Sequence, residues 1–361
     1  MTGRPRWWQQ ALAATSAGIL LALVPAPAAW AHGAHAPAAT NYRGQVTGVT
    51  PALTGVSVRM IEAGTGLELT NRVDEPVWVL GYDGEPYLEV RADGVYENVH
   101  SPATYLNREP TATAPLPARA DPAAEPSWRR VSGGPVVRWY DRRTTWTEAG
   151  PPPVPAGAGP HPIREWTVPL ARGDTRAAVT GTLEWVPPPS PWPWWAAAVL
   201  AAAAVGALGL LGHSRVARAG VGAAAVAGGG AALAYAAARE VDAGARHPGE
   251  VLGWLVTGQA WASLSAVAAT VAGGWLLVRA VRQEAPGDGA GFALALSGTC
   301  LALFAGLADA AVLARSVAPV PFDPLWARMA VTTVLAAGAG MLLAGALTLR
   351  RLRVRGPAGP G

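Results

Sequence analysis

The sequence predicts two parts of different class: an antiparallel, Ig-like β-sandwich domain outside the cytoplasm, and an α-helical membrane bundle of five transmembrane helices. Three observations carry that expectation. Residues 41–187 hold short alternating stretches separated by Gly and Asp-Gly turns. Residues 194–350 hold five blocks of Ala, Leu, Val and Gly, each near or above the ~20 residues that cross a bilayer. Between them, Trp192-Pro193-Trp194-Trp195 marks a change of solvent. The chain has 361 residues, of which 51% are hydrophobic and only 14% charged. The length allows two or three domains at roughly 100–200 residues each, and the charge content is low for a water-soluble protein.

The first segment, 1–31, reads as a signal peptide. Arg4 and Arg6 form a basic start, Ala11 to Val24 an apolar stretch, and Ala29-Trp30-Ala31 a small-x-small cleavage pattern. Cleavage after Ala31 leaves His32 as the mature N-terminus. An uncleaved anchor is the other reading, opposed by the shortness of the apolar run.

An extracytoplasmic β-sandwich domain is expected over 32–187. Val56, Val58 and Met60 alternate with polar residues, and Gly64-Thr65-Gly66 turns the chain into Leu67-Glu68-Leu69-Thr70. Val77 to Leu80 follows as a buried strand. Asp83-Gly84 and Asp93-Gly94 flank Tyr87 to Val90, and Asp-Gly tolerates the positive φ of tight hairpins. Val136–Tyr140, Glu165–Leu170 and Ala178–Val186 complete about seven strands, as in a two-sheet sandwich. Residues 110–127 and 149–162, rich in Pro, Ala and Gly, read as long loops. Trp78, Trp128, Trp139, Trp146, Trp166 and Trp185 suit core packing better than sugar stacking, since each ring buries on the order of 150–250 Å². Arg138 to Arg143 is the densest polar-aromatic cluster. It reads as an edge strand with solvated charges, or as an anion grip.

Residues 188–193 form a stiff Pro/Trp tether. The transmembrane domain over 194–350 comprises the blocks Trp194–Leu211, Ala217–Ala238, Val251–Val278, Gly291–Ala314 and Ala330–Leu349. Arg215 and Arg218, then Arg279 and Arg282, then Arg350, Arg351, Arg353 and Arg355 follow alternate blocks. Their placement predicts an N-terminus outside, cytoplasmic basic links and a cytoplasmic tail over 351–361. The links at 239–250 and 315–328 then lie outside, and Trp192, Trp194 and Trp195 fall at the outer interface. Gly228-Gly229-Gly230, Gly338-Ala339-Gly340 and Gly345 suit close helix contacts. Two polar groups lie inside apolar blocks, Gln259 and Asp309. An intramembrane acid is a functional candidate by default. The function it would serve is a proton or cation path; the alternative is a structural ion pair with Arg315, Arg328 or Arg239, or a neutral, protonated acid.

Several function classes find no support. All 28 basic residues are Arg and they are scattered, so no basic stripe for nucleic acid is visible. Cys300 is the single cysteine, which excludes an internal disulfide. No Ser/His/Asp, Cys/His or paired-carboxylate arrangement has recognisable spacing, so no enzyme is expected; Glu97, His100 and Asp141 are residues that any strand-rich domain offers. The expected partners are the lipid bilayer and an envelope protein, with the chain an accessory to a larger complex. The competing expectation is an uptake protein for copper or a small solute.

An N-terminal His offers its α-amine and imidazole together, a chelate suited to Cu(II). Processing places His32 there, with His35 close behind and His100 on a loop. The arrangement resembles the amino-terminal histidine of CopC-type periplasmic copper carriers, whose Ig-like sandwich is in some proteins fused to a CopD-type membrane domain. That resemblance covers one residue, His32, and the order of sandwich then spans; it implies copper at His32, and His35 and His100 are the further candidate ligands the chain offers. The chain departs from it in having five spans rather than eight, no His inside them, and no Met-rich loop; only Met329, Met341 and Cys300 are soft ligands there. A polar leader is the other reading of His32 and His35. The run Gly84-Glu85-Pro86-Tyr87-Leu88-Glu89-Val90-Arg91-Ala92-Asp93-Gly94-Val95-Tyr96-Glu97-Asn98, with Ser101 to Asn107, is similar to a group of uncharacterised actinobacterial membrane proteins. That likeness implies fold and topology and no activity.

Overall fold

The computed structural model describes residues 38–108, 115–148, 150, 152–153, 159–212, 214–284 and 289–354. The expected signal peptide, His32 and His35 lie outside those residues.

The first part is an open antiparallel sheet domain. Its strands are β1 (Tyr42–Thr50), β2 (Val56–Ile61), β3 (Gly66–Asn71), β4 (Val77–Leu80), β5 (Pro86–Arg91), β6 (Gly94–Asn98), β7 (Trp128–Ser132), β8 (Val136–Tyr140), β9 (His161–Arg172) and β10 (Thr175–Trp185). Seven form one sheet in the order β1-β10-β9-β4-β5-β6-β7, and three form another in the order β2-β3-β8. Both contribute to one core. Leu67, Leu69, Val137 and Trp139 come from the small sheet; Val77, Val79, Val90, Val168, Leu170 and Val179 come from the large one. Each such side chain contributes roughly 1.5–3 kcal/mol on burial. A short helix, α1 (Ala103–Leu106), follows β6.

The expected strands are present, and three more join them. β1 carries two glycines and weak alternation, and β7 is a polar edge strand, so neither shows a clear period-2 pattern. β6 pairs with β5 across a turn at Ala92-Asp93, with Arg91 opposite Gly94. The loop expected over 149–162 ends earlier, because His161 already pairs with Trp185. Trp139 and Trp166 are buried in the core, whereas Trp78 is exposed.

The second part is helical: α2 (Trp192–Leu208), α3 (Arg215–Asp242), α4 (Pro248–Thr257), α5 (Ala260–Val281), α6 (Ala290–Leu301) and α7 (Pro324–Val354). Five stretches are long and apolar enough to cross a membrane: Trp192–Leu211, Arg215–Asp242, Ala260–Val281, Ala290–Leu307 and Pro324–Arg351. Small residues let these helices approach closely. A Cβ on Gly338 would lie 2.7 Å from the Ala302 nitrogen of the facing helix, and one on Gly273 would lie 2.6 Å from the Gly222 carbonyl.

Three boundaries differ from the expected blocks. The block Val251–Val278 is two helices, because the chain breaks at Gln259 (φ −127°, ψ 34°) and the residues before it form α4, none of them buried. The block Gly291–Ala314 is not one α-helix. After Leu301 it passes through a π-helical turn, Ala302–Leu307, and a 3-10 turn, Ala310–Ala314, with Asp309 between them. The last helix starts at Pro324, earlier than expected, since the Asp323 carboxylate accepts from the Leu325 nitrogen at 2.7 Å and caps its first turn. The chain is also held just before the tether. Ser316 donates to the carbonyl oxygens of Val186 and Pro187, at 3.1 and 2.5 Å.

Candidate functional site at the junction of sheet and bundle

The centre of the junction is Glu68. Period-2 alternation in β3 sends Leu67 and Leu69 into the core and Glu68 to the opposite face. β3 is the middle strand, and its register sets Arg59 of β2 and Arg138 of β8 directly opposite Glu68 on either side. Arg59 Nε donates to Glu68 Oε1 at 2.8 Å, and Arg138 Nε donates to Oε2 at 2.7 Å. A third guanidinium comes from the helical part. Arg246, in the link between α3 and α4, donates to Glu68 Oε1 at 2.8 Å and to Thr70 Oγ1 at 2.9 Å. Burial pushes the Glu68 carboxyl up, but the hydrogen bonds from Arg59, Arg246 and Arg138 outweigh it. They hold the carboxyl at about 2, against an ordinary 4.5.

Gly244 makes this approach possible. Its φ is +104°, and a Cβ there would stand 2.5 Å from Arg138 Nε and 2.8 Å from Glu68 Oε2. Arg138 donates to the Gly244 carbonyl and stacks over Trp254 of α4, 5.4 Å from the ring centre. Glu250, on the first turn of α4, accepts from the Arg246 nitrogen at 2.8 Å, and that bond holds its carboxyl below the usual range.

Two further contacts fasten the domain. The Ala63 nitrogen donates to Asp242 Oδ2 at the end of α3, at 2.7 Å. On the other flank, Thr40 and Val317 form an antiparallel bridge, with N–H···O distances of 2.9 and 2.8 Å. Asn41 Oδ1 also accepts from the Ser316 nitrogen at 3.1 Å. Sheet domain and bundle therefore meet along a polar seam with three separate attachments.

The two polar residues expected inside the membrane, Gln259 and Asp309, lie just behind this seam, immediately outside the apolar stretches Ala260–Val281 and Ala290–Leu307. Asp309 accepts from Arg239 at 2.6 Å, and Arg239 is 4% exposed. Of the three arginines expected as partners, Arg239 is the one used. Arg328 instead donates to the carbonyl oxygens of Val312 and Arg315, capping the 3-10 turn. Gln259 donates to Glu240. The structure thus brings Gln259 and Asp309 to one end of the bundle, each bonded to a residue of α3.

Other expected site residues do not converge. His100 Nδ1 meets the Glu125 carbonyl at 2.8 Å, Glu97 pairs with Arg129, and Asp141 pairs with Arg143 at 2.7 Å. Among the described residues no three His, Cys, Asp or Glu side chains are grouped so as to hold a metal ion. The charges of the Arg138–Arg143 cluster, expected in solvent, are engaged internally. Arg138 binds Glu68. Arg143 forks onto buried Asp141 and covers the Tyr82 ring at 4.9 Å. Burial and the neighbouring Asp141 push the Tyr82 hydroxyl up to about 12. Glu68, Arg59 and Arg246 went unrecognised in the sequence. The available signal was an acid between two apolar residues of a strand, which ordinarily means a solvent-facing position.

No protein-family model, no curated protein and no solved structure matches this chain.

Proposed function

We propose that the protein is a membrane-anchored binding module: an extracytoplasmic β domain, fixed on a five-span platform, that presents its outer face to another envelope protein. The observation that carries this reading is the seam. A domain tied at Glu68, Ala63 and Thr40–Asn41 does not swing on its tether, as a carrier handing over cargo would have to. The bundle below it supports the same reading. Arg239 pairs with Asp309 behind the seam, Glu240 accepts from Gln259 and Asp242 from the Ala63 nitrogen, and the deeper Ser297 and Thr270 hydroxyls bond to Ala293 and Ala266 of their own helices. Around these bonds the buried interior of the spans is lined by Ala, Leu, Val and Gly, with Met341 among them. The Ig-like character of the domain belongs to this proposal, supported by two antiparallel sheets around one core. So does the orientation, supported by the seven described arginines from Arg215 to Arg353 at the helix ends away from the seam.

β7 is the surface best suited to a partner. It is the open edge of the large sheet opposite β1, and Val131 on it is 49% exposed. Open edges invite strand addition. The test is a photo-crosslinking side chain at position 131 of the full-length protein in its native membrane, with metal content measured on the same preparation. A discrete cross-linked protein is expected. Stoichiometric copper, or solute uptake that Asp309→Asn abolishes, without any cross-link, overturns the proposal in favour of copper or small-solute uptake.

A further inference from the structure

The face of the bundle between α5 and α6 is not closed. A groove of about 830 Å³ runs there, lined along α5 by Trp261, Leu264, Val271 and Trp275 and along α6 by Ala293 and Leu296. It extends from Trp261 to Arg279. Eighteen residues at 1.5 Å per residue make it about 27 Å long, close to the ~30 Å of a bilayer's hydrocarbon core. Trp261 stacks on Phe304 at 5.9 Å across the end near the seam. At the other end stands Arg279, over the Trp275 ring at 4.7 Å and 3.5 Å from Glu284.

We propose that the half of this groove nearer Arg279, one leaflet deep, holds an acyl chain of an anionic phospholipid whose phosphate lies on Arg279. Groove and membrane share the same span height, so the occupant comes from the bilayer. The lining is apolar over its length, and its serines, Ser265 and Ser297, are already bonded to Ala262 and Ala293 of their own helices. The choice of headgroup follows from charge. At the Arg279 end the helix ends and the residues just after them carry Arg215, Arg218, Arg279, Arg282, Arg350, Arg351 and Arg353 against Glu284. At the seam end, acids and arginines nearly balance: Arg239, Arg246, Arg315 and Arg328 against Glu240, Asp242, Glu250, Asp309 and Asp323. A basic pocket between helices on one leaflet is the arrangement that selects anionic headgroups, and guanidinium binds phosphate through paired N–H donors. Bulky exposed side chains such as Leu264 and Trp275 suit a flexible chain better than the flat small-residue stripe that a partner helix needs. The proposal rests on the membrane reading of the spans, but not on which side of the membrane the seam faces.

The experiment is native mass spectrometry of the full-length protein in detergent with an equal mixture of phosphatidylglycerol and phosphatidylcholine. Phosphatidylglycerol should be retained in preference. Arg279→Gln should weaken its retention about fivefold, the equivalent of one arginine near a membrane surface. Ala293→Trp should fill the groove and remove both lipids, while Val199→Trp, on an exposed face of α2, should change neither. Should Ala293→Trp fail to fold, Ala268→Leu reports on the same space. Equal retention of the two lipids, or undiminished retention in the filled groove, overturns the proposal. Neither outcome bears on whether the β domain has a protein partner.

Discussion

Replacing Glu68 by Gln is the most informative perturbation of the seam. The amide keeps the volume of the carboxylate and removes the one negative charge that three guanidiniums share. Glu68 itself is 2% exposed, whereas the side chains of Arg59, Arg138 and Arg246 are 52%, 31% and 40% exposed. Breaking a fully buried ion pair costs roughly 3–5 kcal/mol, but exposed partners recover solvation, and a surface pair is worth no more than about 1 kcal/mol. The site lies between these limits, so Glu68→Gln should cost about 2 kcal/mol. For a domain of this size that corresponds to a fall in melting temperature of roughly 4–8 °C. The assay is tryptophan-monitored thermal unfolding of the full-length protein in detergent, with hydrogen exchange of residues 243–247 as the local readout. Exchange there should accelerate, because Arg246 and Gly244 are held by the same cluster. An unchanged melt together with unchanged exchange would refute the idea that Glu68 organises the seam.

Three further outcomes are expected. Gly244→Ala forces a Cβ against Arg138 and Glu68 at a positive φ, and should destabilise the seam by about 2 kcal/mol or more, read by the same melt and exchange. The native Glu68 carboxyl sits at about 2 rather than 4.5. The native state therefore binds fewer protons than the unfolded one in that interval. Its contribution is fully present above about 4.5 and is lost as pH falls towards about 2. Exchange of 243–247 should be pH-independent above that range once corrected for intrinsic rate, and should rise below it more in the parent than in Glu68→Gln, whose remaining rise at Arg246 comes from Glu250. Asp309→Asn leaves the buried Arg239 charge without its carboxylate and should cost about 3–5 kcal/mol. The paired change Asp309→Leu with Arg239→Leu should melt above Asp309→Asn alone; a double variant no more stable than the single one would argue against a structural ion pair.

Much of the architecture was readable in the chain because one-dimensional patterns carried it. The Leu67/Leu69 and Val77/Val79 alternations mark core strands, and apolar blocks of bilayer length mark the spans. β7 was hidden because Trp128-Arg129-Arg130-Val131-Ser132 is a solvated edge with no apolar period. The break at Gln259 was hidden because apolar residues continue on both sides of it; hydropathy records solvent and not backbone geometry. Asp309 was visible as an acid in an apolar block, and its partner was narrowed to three arginines, but the choice of Arg239 depends on how α3 packs. Glu68 was illegible as a site for a related reason. Its third partner, Arg246, is 178 residues away in sequence, and only tertiary packing covers the face on which Glu68 lies.

The central claim is that sheet domain and bundle form one fixed unit, and the Thr40–Val317 bridge tests it most directly. These residues exchange both backbone hydrogen bonds, so their Cα atoms stand about 5.5 Å apart, within the reach of a disulfide. Thr40→Cys with Val317→Cys, in a Cys300→Ser background, should cross-link under mild oxidation in intact membranes as completely as a control pair within the sheet at Gln45 and Thr182, which face each other on β1 and β10. A control pair that closes while the 40–317 pair stays reduced would contradict the account, because the domain would then be moving on its tether.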